Sequence, residues 1–202
     1  MGALLVVAFF VLQFHVSELL LAITYRPDSG KVTWRNTLLS WPLLSAYAAA
    51  VLEYSGTRRE ISMFVRGAGL AMMVFGEAVR KTAIITAGRS FSHQIVETQC
   101  AQHRLVVSGP FSRHRHPAYV GYCLFVIGSM IFLGNWLCVL IFGCILYRFF
   151  DQRIAFEEAT LVRLFPDDAE AQESYKSYAK RVTAFPFRSY VHRIENESHS
   201  IK

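Results

Sequence analysis

Long apolar stretches are the feature that most constrains how this chain of 202 residues can fold. Residues 117–147 contain no Asp, Glu, Lys or Arg, and residues 38–51 contain none either. Residues 1–24 carry one acid, and residues 61–79 carry one acid and one base. An apolar helix of about 20 residues crosses the ~30 Å hydrocarbon layer of a bilayer, and these stretches lack the alternation of barrel strands. The sequence therefore predicts an all-α integral membrane protein.

The apolar stretch that follows residue 116 is interrupted by a turn signal, Gly134-Asn135. Each arm is slightly short for a full span, so we expect a tight helical hairpin over residues 117–150, with its uncharged tip buried. With the three preceding stretches, this hairpin gives about five transmembrane helices. Residues 151–165 have apolar positions at helical spacing and should continue the second arm out of the membrane as an amphipathic helix.

Basic residues account for a net charge of +6 and lie beside the apolar stretches. Arg26, Lys31 and Arg35 follow the first stretch, and many more bases follow Val79. Cytoplasmic loops of membrane proteins are enriched in Lys and Arg, so both segments are expected in the cytoplasm. Membrane topology therefore explains the basic balance, and nucleic acid is not an expected partner.

The four cysteines form no recognisable redox or metal motif. Cys123, Cys138 and Cys144 lie inside apolar stretches, and the chain has no C-x-x-C pair. We therefore expect small buried apolar side chains rather than disulfides or thiolate metal sites.

Four bases in a row, Arg113 to His116, stand immediately before Pro117 and the hairpin. The residues alone leave two interpretations open: a patch for lipid headgroups, or a site that recognises the anionic part of a cofactor. His114 and His116 have an H-x-H spacing, but no carboxylate or thiol completes a ligand set, so a metal site is not expected.

Arg153 and Glu157 are one helical turn apart and share a helix face. On composition they read as a helix-stabilising ion pair worth about 0.3–0.5 kcal/mol. Their position, where the hairpin leaves the bilayer, favours a chemical use, because charged groups at that depth are costly. A guanidinium group matches a carboxylate or phosphate. No soluble nucleotide-binding or hydrolase motif occurs in the chain.

Three strings resemble one family, the isoprenylcysteine carboxyl methyltransferases of the endoplasmic reticulum: HRLVVSGPFSRHRHPAYVGY (103–122), RFFDQRIAFEE (148–158) and YKSYAKRV (175–182). RKTAIITAGRSFSH (80–93) and HVSELLLA (15–22) are also similar to the family, and the resemblance spans roughly residues 14–187. The family's first motif falls on His103, Leu105, Val106, Gly109, Phe111, Arg115, His116, Pro117, Tyr119 and Gly121. The second falls on Arg148, Phe149, Phe150, Arg153, Glu157 and Glu158.

The resemblance implies methyl transfer from S-adenosylmethionine to the C-terminal carboxylate of a prenylated cysteine. It also implies prenylated CaaX proteins, such as small GTPases, as substrates. The expected location is the endoplasmic reticulum membrane, crossed several times, with the active site facing the cytoplasm. By position, Arg153 is the expected catalytic and substrate-binding residue. The expected cofactor-binding residues are Val96, His103, Arg104, Leu105, Val106, Phe111, His116, Pro117, Ala118, Tyr119 and Glu157.

This assignment divides the chain into N-terminal transmembrane helices (1–81), a methyltransferase core (82–187) and a C-terminal tail (188–202). The chain departs from the family pattern at Phe111, where Tyr is usual, and at Thr183, where Pro is usual. Two related enzyme classes stay open as alternatives. A phospholipid N-methyltransferase would have little use for Arg153, because its acceptor is an amine, and a sterol-type membrane reductase is usually longer. A membrane adaptor without enzymatic activity would leave Arg153 and Glu157 without a role.

Overall fold

The computed structural model describes residues 2–25, 41–57, 60–91, 95, 104–166 and 174–187. Within these ranges every long element is a helix and no strand is present, which confirms the predicted all-α fold. Two short 3₁₀ turns, Gly88–Ser90 and Gly109–Ser112, lie between the long helices. The long helices are α1 (Gly2–Tyr25), α2 (Trp41–Thr57), α3 (Met63–Ala87), α4 (Pro117–Leu133), α5 (Trp136–Leu164) and α6 (Tyr175–Arg181).

The apolar helices differ in length. Among the described residues, α1 is the helix that is long and apolar enough to cross a bilayer, and α4 is apolar but shorter. Leu5, Phe9 and Leu12 of α1 are each more than 60% exposed, as on a helix whose outer face contacts lipid. Helix α5 has 29 residues and is about 43 Å long, so it extends well beyond the hydrocarbon layer. The predicted count of five spans stays a prediction.

Helices α3 and α4 touch through their backbones along a seam of glycines. Gly69 and Gly76 lie two turns apart on α3, and Gly121 and Gly128 lie two turns apart on α4. A Cβ atom added to Gly76 would lie 2.6 Å from the carbonyl oxygen of Gly121. Small residues at a helix interface allow this close approach, which supplies much of the association of helices in a membrane.

We expect Gly76→Ala to destabilise the protein by about 1–3 kcal/mol, because the new methyl group meets backbone atoms that cannot rotate away. Gly67→Ala is the matched control on the same helix, because a Cβ at Gly67 meets nothing within 4 Å. The midpoint of thermal unfolding in detergent would measure both variants. Equal midpoints for the two variants would contradict the close contact between α3 and α4.

The hairpin turns where the sequence indicated. Helix α4 ends at Leu133, the next residue Gly134 has a left-handed conformation with φ of 74°, and α5 begins after Asn135. The hairpin carries no charge of its own at this turn, but the carboxylate of Glu53 in α2 accepts hydrogen bonds from the backbone N–H groups of Leu137 (3.1 Å) and Cys138 (2.9 Å). These N–H groups have no partner inside their own helix, and the helix dipole favours an anion there.

A buried charge cluster joins α1, α3 and α4. Nε and Nη2 of Arg80 each lie 2.8 Å from a different carboxylate oxygen of Glu18, and Nη1 donates to the backbone carbonyl of Ala118 (3.0 Å). Nζ of Lys81 lies 2.6 Å from Glu18 Oε1. Both Glu18 and Arg80 are buried. This cluster fixes the first turn of α4 relative to the two N-terminal helices.

The proposed division of the chain does not coincide with a break in the structure. The boundary between residues 81 and 82 falls inside α3. Residues on both sides of it, among them Phe14, Met73 and Phe125, belong to one hydrophobic core. The tail, residues 188–202, lies outside the described residues.

Candidate active site

A cavity opens where the end of α3, the segment 104–107, the start of α4 and the outer part of α5 meet. The segment 104–107 is held beside the end of α3 because the backbone N–H of Arg104 donates to the Ser90 hydroxyl (3.2 Å). The expected cofactor-binding residues that are described all line this cavity, whereas Val96 and His103 lie outside the described residues. The lining includes Arg104, Leu105, Val106, Phe111, His116, Pro117, Ala118, Tyr119 and Glu157.

Part of the cavity wall comes from residues that the sequence analysis did not assign to the site. Helix α6 packs on the end of α5, where Tyr175, Tyr178 and Phe165 are buried together against Leu105. The hydroxyl of Tyr178 donates to the backbone carbonyl of Phe111 (2.7 Å). This contact fixes the main chain of Phe111. The spacing of the two tyrosines on one helix face was the available signal, but it could not indicate a partner as distant in the sequence as Phe111.

Arg153 and Glu157 meet at the hydroxyl of Tyr119. Nε of Arg153 donates to this hydroxyl (2.9 Å), and the hydroxyl donates to Glu157 Oε2 (2.8 Å). The directions follow because a guanidinium group only donates and a carboxylate only accepts. Of the predicted site residues that are described, Arg153 is the one outside the cavity lining, and it reaches the cavity through Tyr119. The Tyr119 ring is itself stacked between His116 and Phe150.

Glu158, the residue after Glu157, faces a different side of α5 and is completely buried. Its Oε1 lies 3.1 Å from His116 Nε2 and 3.4 Å from Arg115 Nη1, and it accepts a hydrogen bond from the Tyr175 hydroxyl (3.2 Å). Burial and then the Glu158 carboxylate raise the pKa of Tyr175 well above its usual value, so the phenol keeps its proton. Glu158 therefore orients the ring of His116. The sequence analysis placed it in a motif without assigning this role.

The comparisons with known proteins agree with this arrangement. The family model described as the isoprenylcysteine carboxyl methyltransferase (ICMT) family matches residues 69–163. Protein-S-isoprenylcysteine O-methyltransferase B of Arabidopsis thaliana is 37% identical over 186 residues, which cover 88% of this chain and 89% of that protein. The chain belongs to the isoprenylcysteine carboxyl methyltransferase family. It is therefore a membrane methyltransferase, which confirms the resemblance seen in the sequence.

Longer relatives of the family match over most of this chain. The Rattus norvegicus protein-S-isoprenylcysteine O-methyltransferase is 34% identical over 183 residues, which cover 86% of this chain and 61% of that protein. A solved structure of the eukaryotic intramembrane Ras methyltransferase ICMT superposes with a TM-score of 0.77 at 30% identity. That match covers 87% of this chain and 63% of the solved chain. The helical architecture is thus that of the family.

Arg115 lines the cavity and is buried. Its Nη1 lies 3.4 Å from Glu158 Oε1, and its Nε makes no hydrogen bond within the described part of the chain. A guanidinium group can bind a second anion such as a carboxylate through a remaining N–H group. The family implies a methyl donor, and this donor set and the apolar wall around Leu105 line the cavity in which it could bind.

The string of four bases divides in the structure. Arg113 is exposed, whereas Arg115 and His116 are buried at the cavity. His114 is half-buried between the cavity rim and residues 183–187, which we call the C-terminal segment. The string is therefore not a single patch for lipid headgroups, because only its first member faces outward fully.

Proposed function

We propose that the chain transfers a methyl group from S-adenosylmethionine to the C-terminal carboxylate of a prenylated cysteine. The observation that carries the proposal is the pairing of Arg153 and Glu157 through the Tyr119 hydroxyl at the edge of the cavity. One residue suits the acceptor and the other suits the cofactor. Because both lie on α5 one turn apart, the helix fixes the distance between the two bound molecules.

The cavity residues suit S-adenosylmethionine in three ways. The apolar wall around Leu105, Leu161 and Phe165 suits the adenine ring. Glu157 would accept hydrogen bonds from ribose hydroxyls or from the amino group, and Arg115 would bind the carboxylate. When bound, the cofactor supplies a methyl group activated by its attachment to a sulfonium sulfur.

The acceptor needs orientation rather than activation. A carboxylate is already ionised and nucleophilic at neutral pH, so no general base is required. Arg153 would hold the carboxylate in one plane, because a planar guanidinium fork matches a carboxylate bidentately. Alignment of the reacting atoms and exclusion of water then supply the rate acceleration.

Helix α5 runs without interruption from its apolar arm to Arg153, so a prenyl chain could stay in the bilayer while its carboxylate reaches the cavity. The bases that follow α3 support a cytoplasmic position for the site. We therefore propose prenylated CaaX proteins as substrates and the endoplasmic reticulum membrane as the location.

The direct test is transfer of a labelled methyl group from S-adenosylmethionine to N-acetyl-S-farnesylcysteine by the detergent-solubilised protein. S-farnesylcysteamine, which lacks the carboxylate, is the matched control and should not be methylated. Phosphatidylethanolamine as acceptor tests the alternative of a phospholipid N-methyltransferase. Intact cofactor binding without transfer to the farnesylcysteine analogue would overturn the proposal.

We expect Glu157→Ala to raise the Kd for S-adenosylmethionine about 10- to 100-fold, because hydrogen bonds to a charged group are worth about 1.5–3 kcal/mol. Isothermal titration with the cofactor measures this change directly. Gln152→Ala, an exposed position on the same helix, should leave the Kd unchanged. An unaltered Kd in Glu157→Ala would assign the cofactor contact to another residue.

A further inference from the structure

We propose that His114 is a positioning residue that ties the C-terminal segment to the backbone of His116 and thereby sets the place of the His116 ring in the cavity. The inference rests on the proposed function, because it assigns His116 to cofactor binding. Neither the family motif nor the mechanism above gives His114 a role. Three observations support the inference: the two hydrogen bonds of the His114 ring, the backbone contacts around that ring, and the burial of His116, whose backbone N–H donates to the ring.

The hydrogen bonds fix the tautomer of the His114 ring. The backbone N–H of His116 donates to Nδ1 of His114 (3.0 Å), so Nδ1 must carry a lone pair. The proton of the neutral ring then lies on Nε2, which donates to the backbone carbonyl of Phe185. One tautomer therefore makes both bonds, and it links the cavity rim to the C-terminal segment.

Main-chain contacts hold the two segments in register around this ring. The backbone N–H of Arg115 donates to the carbonyl of Thr183 (3.0 Å), and His114 and Thr183 form an isolated parallel β-bridge. Further along, the ring of Phe187 packs on Phe150 with centroids 6.1 Å apart. Phe150 in turn stacks on Tyr119, so Phe187 gives the C-terminal segment a second attachment that does not involve His114.

The bond from His116 to His114 satisfies a group that has no helical partner. His116 is the residue that precedes the first turn of α4, and it is buried. A buried N–H group without a partner is costly, so its bond to His114 should hold this part of the main chain in place. The other end of His116 is fixed by Glu158, which lies 3.1 Å from Nε2. Without His114, the ring of His116 would keep its contacts with Glu158 and Tyr119, but the backbone that carries the ring would lose this hydrogen bond.

The environment keeps His114 in the required neutral form. Burial lowers the pKa of His114 below its usual value. The carbonyl of Phe185 opposes this effect, and electrostatic interactions with His116 and Arg115 reinforce it. A proton added to Nδ1 would face the N–H of His116 and break that bond. The link is therefore complete above the usual histidine pKa of about 6.5 and is lost as the pH falls through the lowered value.

The test compares three variants of the full chain in detergent: His114→Ala, His114→Asn and His114→Gln. Asparagine can place its carbonyl oxygen near the position of Nδ1, and glutamine can place its amide nitrogen near the position of Nε2. We expect the alanine variant to raise the KM and Kd for S-adenosylmethionine about tenfold, and each amide variant to raise them about threefold. The KM for the farnesylcysteine analogue should change less than twofold.

Arg113→Ala is the matched control, because it removes an exposed base next to His114 and should leave both KM values unchanged. The inference is overturned if folded His114→Ala binds the cofactor as the wild type does. It is also overturned if both KM values rise equally with no rescue by the amides. If the wild type transfers no methyl group, the proposed function fails, whereas the cofactor Kd of the variants still decides the role of His114.

Discussion

Replacement of Arg153 by alanine should reduce kcat/KM for the farnesylcysteine analogue by about 10³-fold. Two charge-assisted hydrogen bonds to a carboxylate are each worth about 1.5–3 kcal/mol, and about 1.4 kcal/mol corresponds to a factor of ten. Without the guanidinium group, the carboxylate is free to rotate away from the line of attack. The Kd for S-adenosylmethionine should change little, because Arg153 lies outside the cavity lining within the described residues.

Arg153→Lys separates charge from geometry in the same assay. Lysine keeps the positive charge but lacks the planar fork, so we expect activity between those of the wild type and the alanine variant. Gln152→Ala again serves as the exposed control on α5. Full activity of Arg153→Ala would mean that another residue binds the acceptor carboxylate.

Glu18→Ala should have the largest effect on stability, a loss of about 3–5 kcal/mol in the free energy of unfolding. The change removes a carboxylate that pairs with both Arg80 and Lys81, and Arg80 is only 3% exposed. A buried cation that loses its counter-charge cannot recover its hydration inside a helical bundle. Thermal unfolding in detergent, followed by circular dichroism, measures the loss.

A double variant tests whether this loss comes from uncompensated charge. Glu18→Ala with Arg80→Leu removes the anion and the deeper cation together and should be more stable than Glu18→Ala alone. Glu60→Ala, which removes an exposed acid outside this cluster, is a control for a general effect of acidic residues. Additive losses in the double variant would contradict coupling between Glu18 and Arg80.

The parts of the fold that depend on local signals could be predicted from the sequence. The hairpin turn required only that Gly134 adopt a left-handed conformation at the end of an apolar run, and it does. The continuation of α5 past Phe150 followed from the helical spacing of apolar residues. Arg153 and Glu157 could be placed on one face for the same reason.

Contacts between distant segments could not be predicted in this way. Glu53 binds the N-terminus of α5, and the two residues joined are 84 positions apart. The direction of the Glu158 side chain relative to that of Glu157 depends on which side of α5 packs against His116. No local sequence pattern predicts which side that is. The role of His114 depends on the return of residues 183–187, so its four-base string gave no indication of it.

The glycine seam between α3 and α4 limits how this protein could be recombined with its relatives. A chimera would have to take both helices from the same parent, because the backbones of α3 and α4 pack directly against each other at these glycines. At Gly76 and Gly121 the nearest atom is the backbone carbonyl oxygen of the other glycine, and a backbone atom cannot be redesigned to absorb a mismatch. The outer face of α1, with Leu5 and Phe9 exposed, carries no such restriction. Modular exchange should therefore succeed at the lipid-facing surface and fail across this pair of helices.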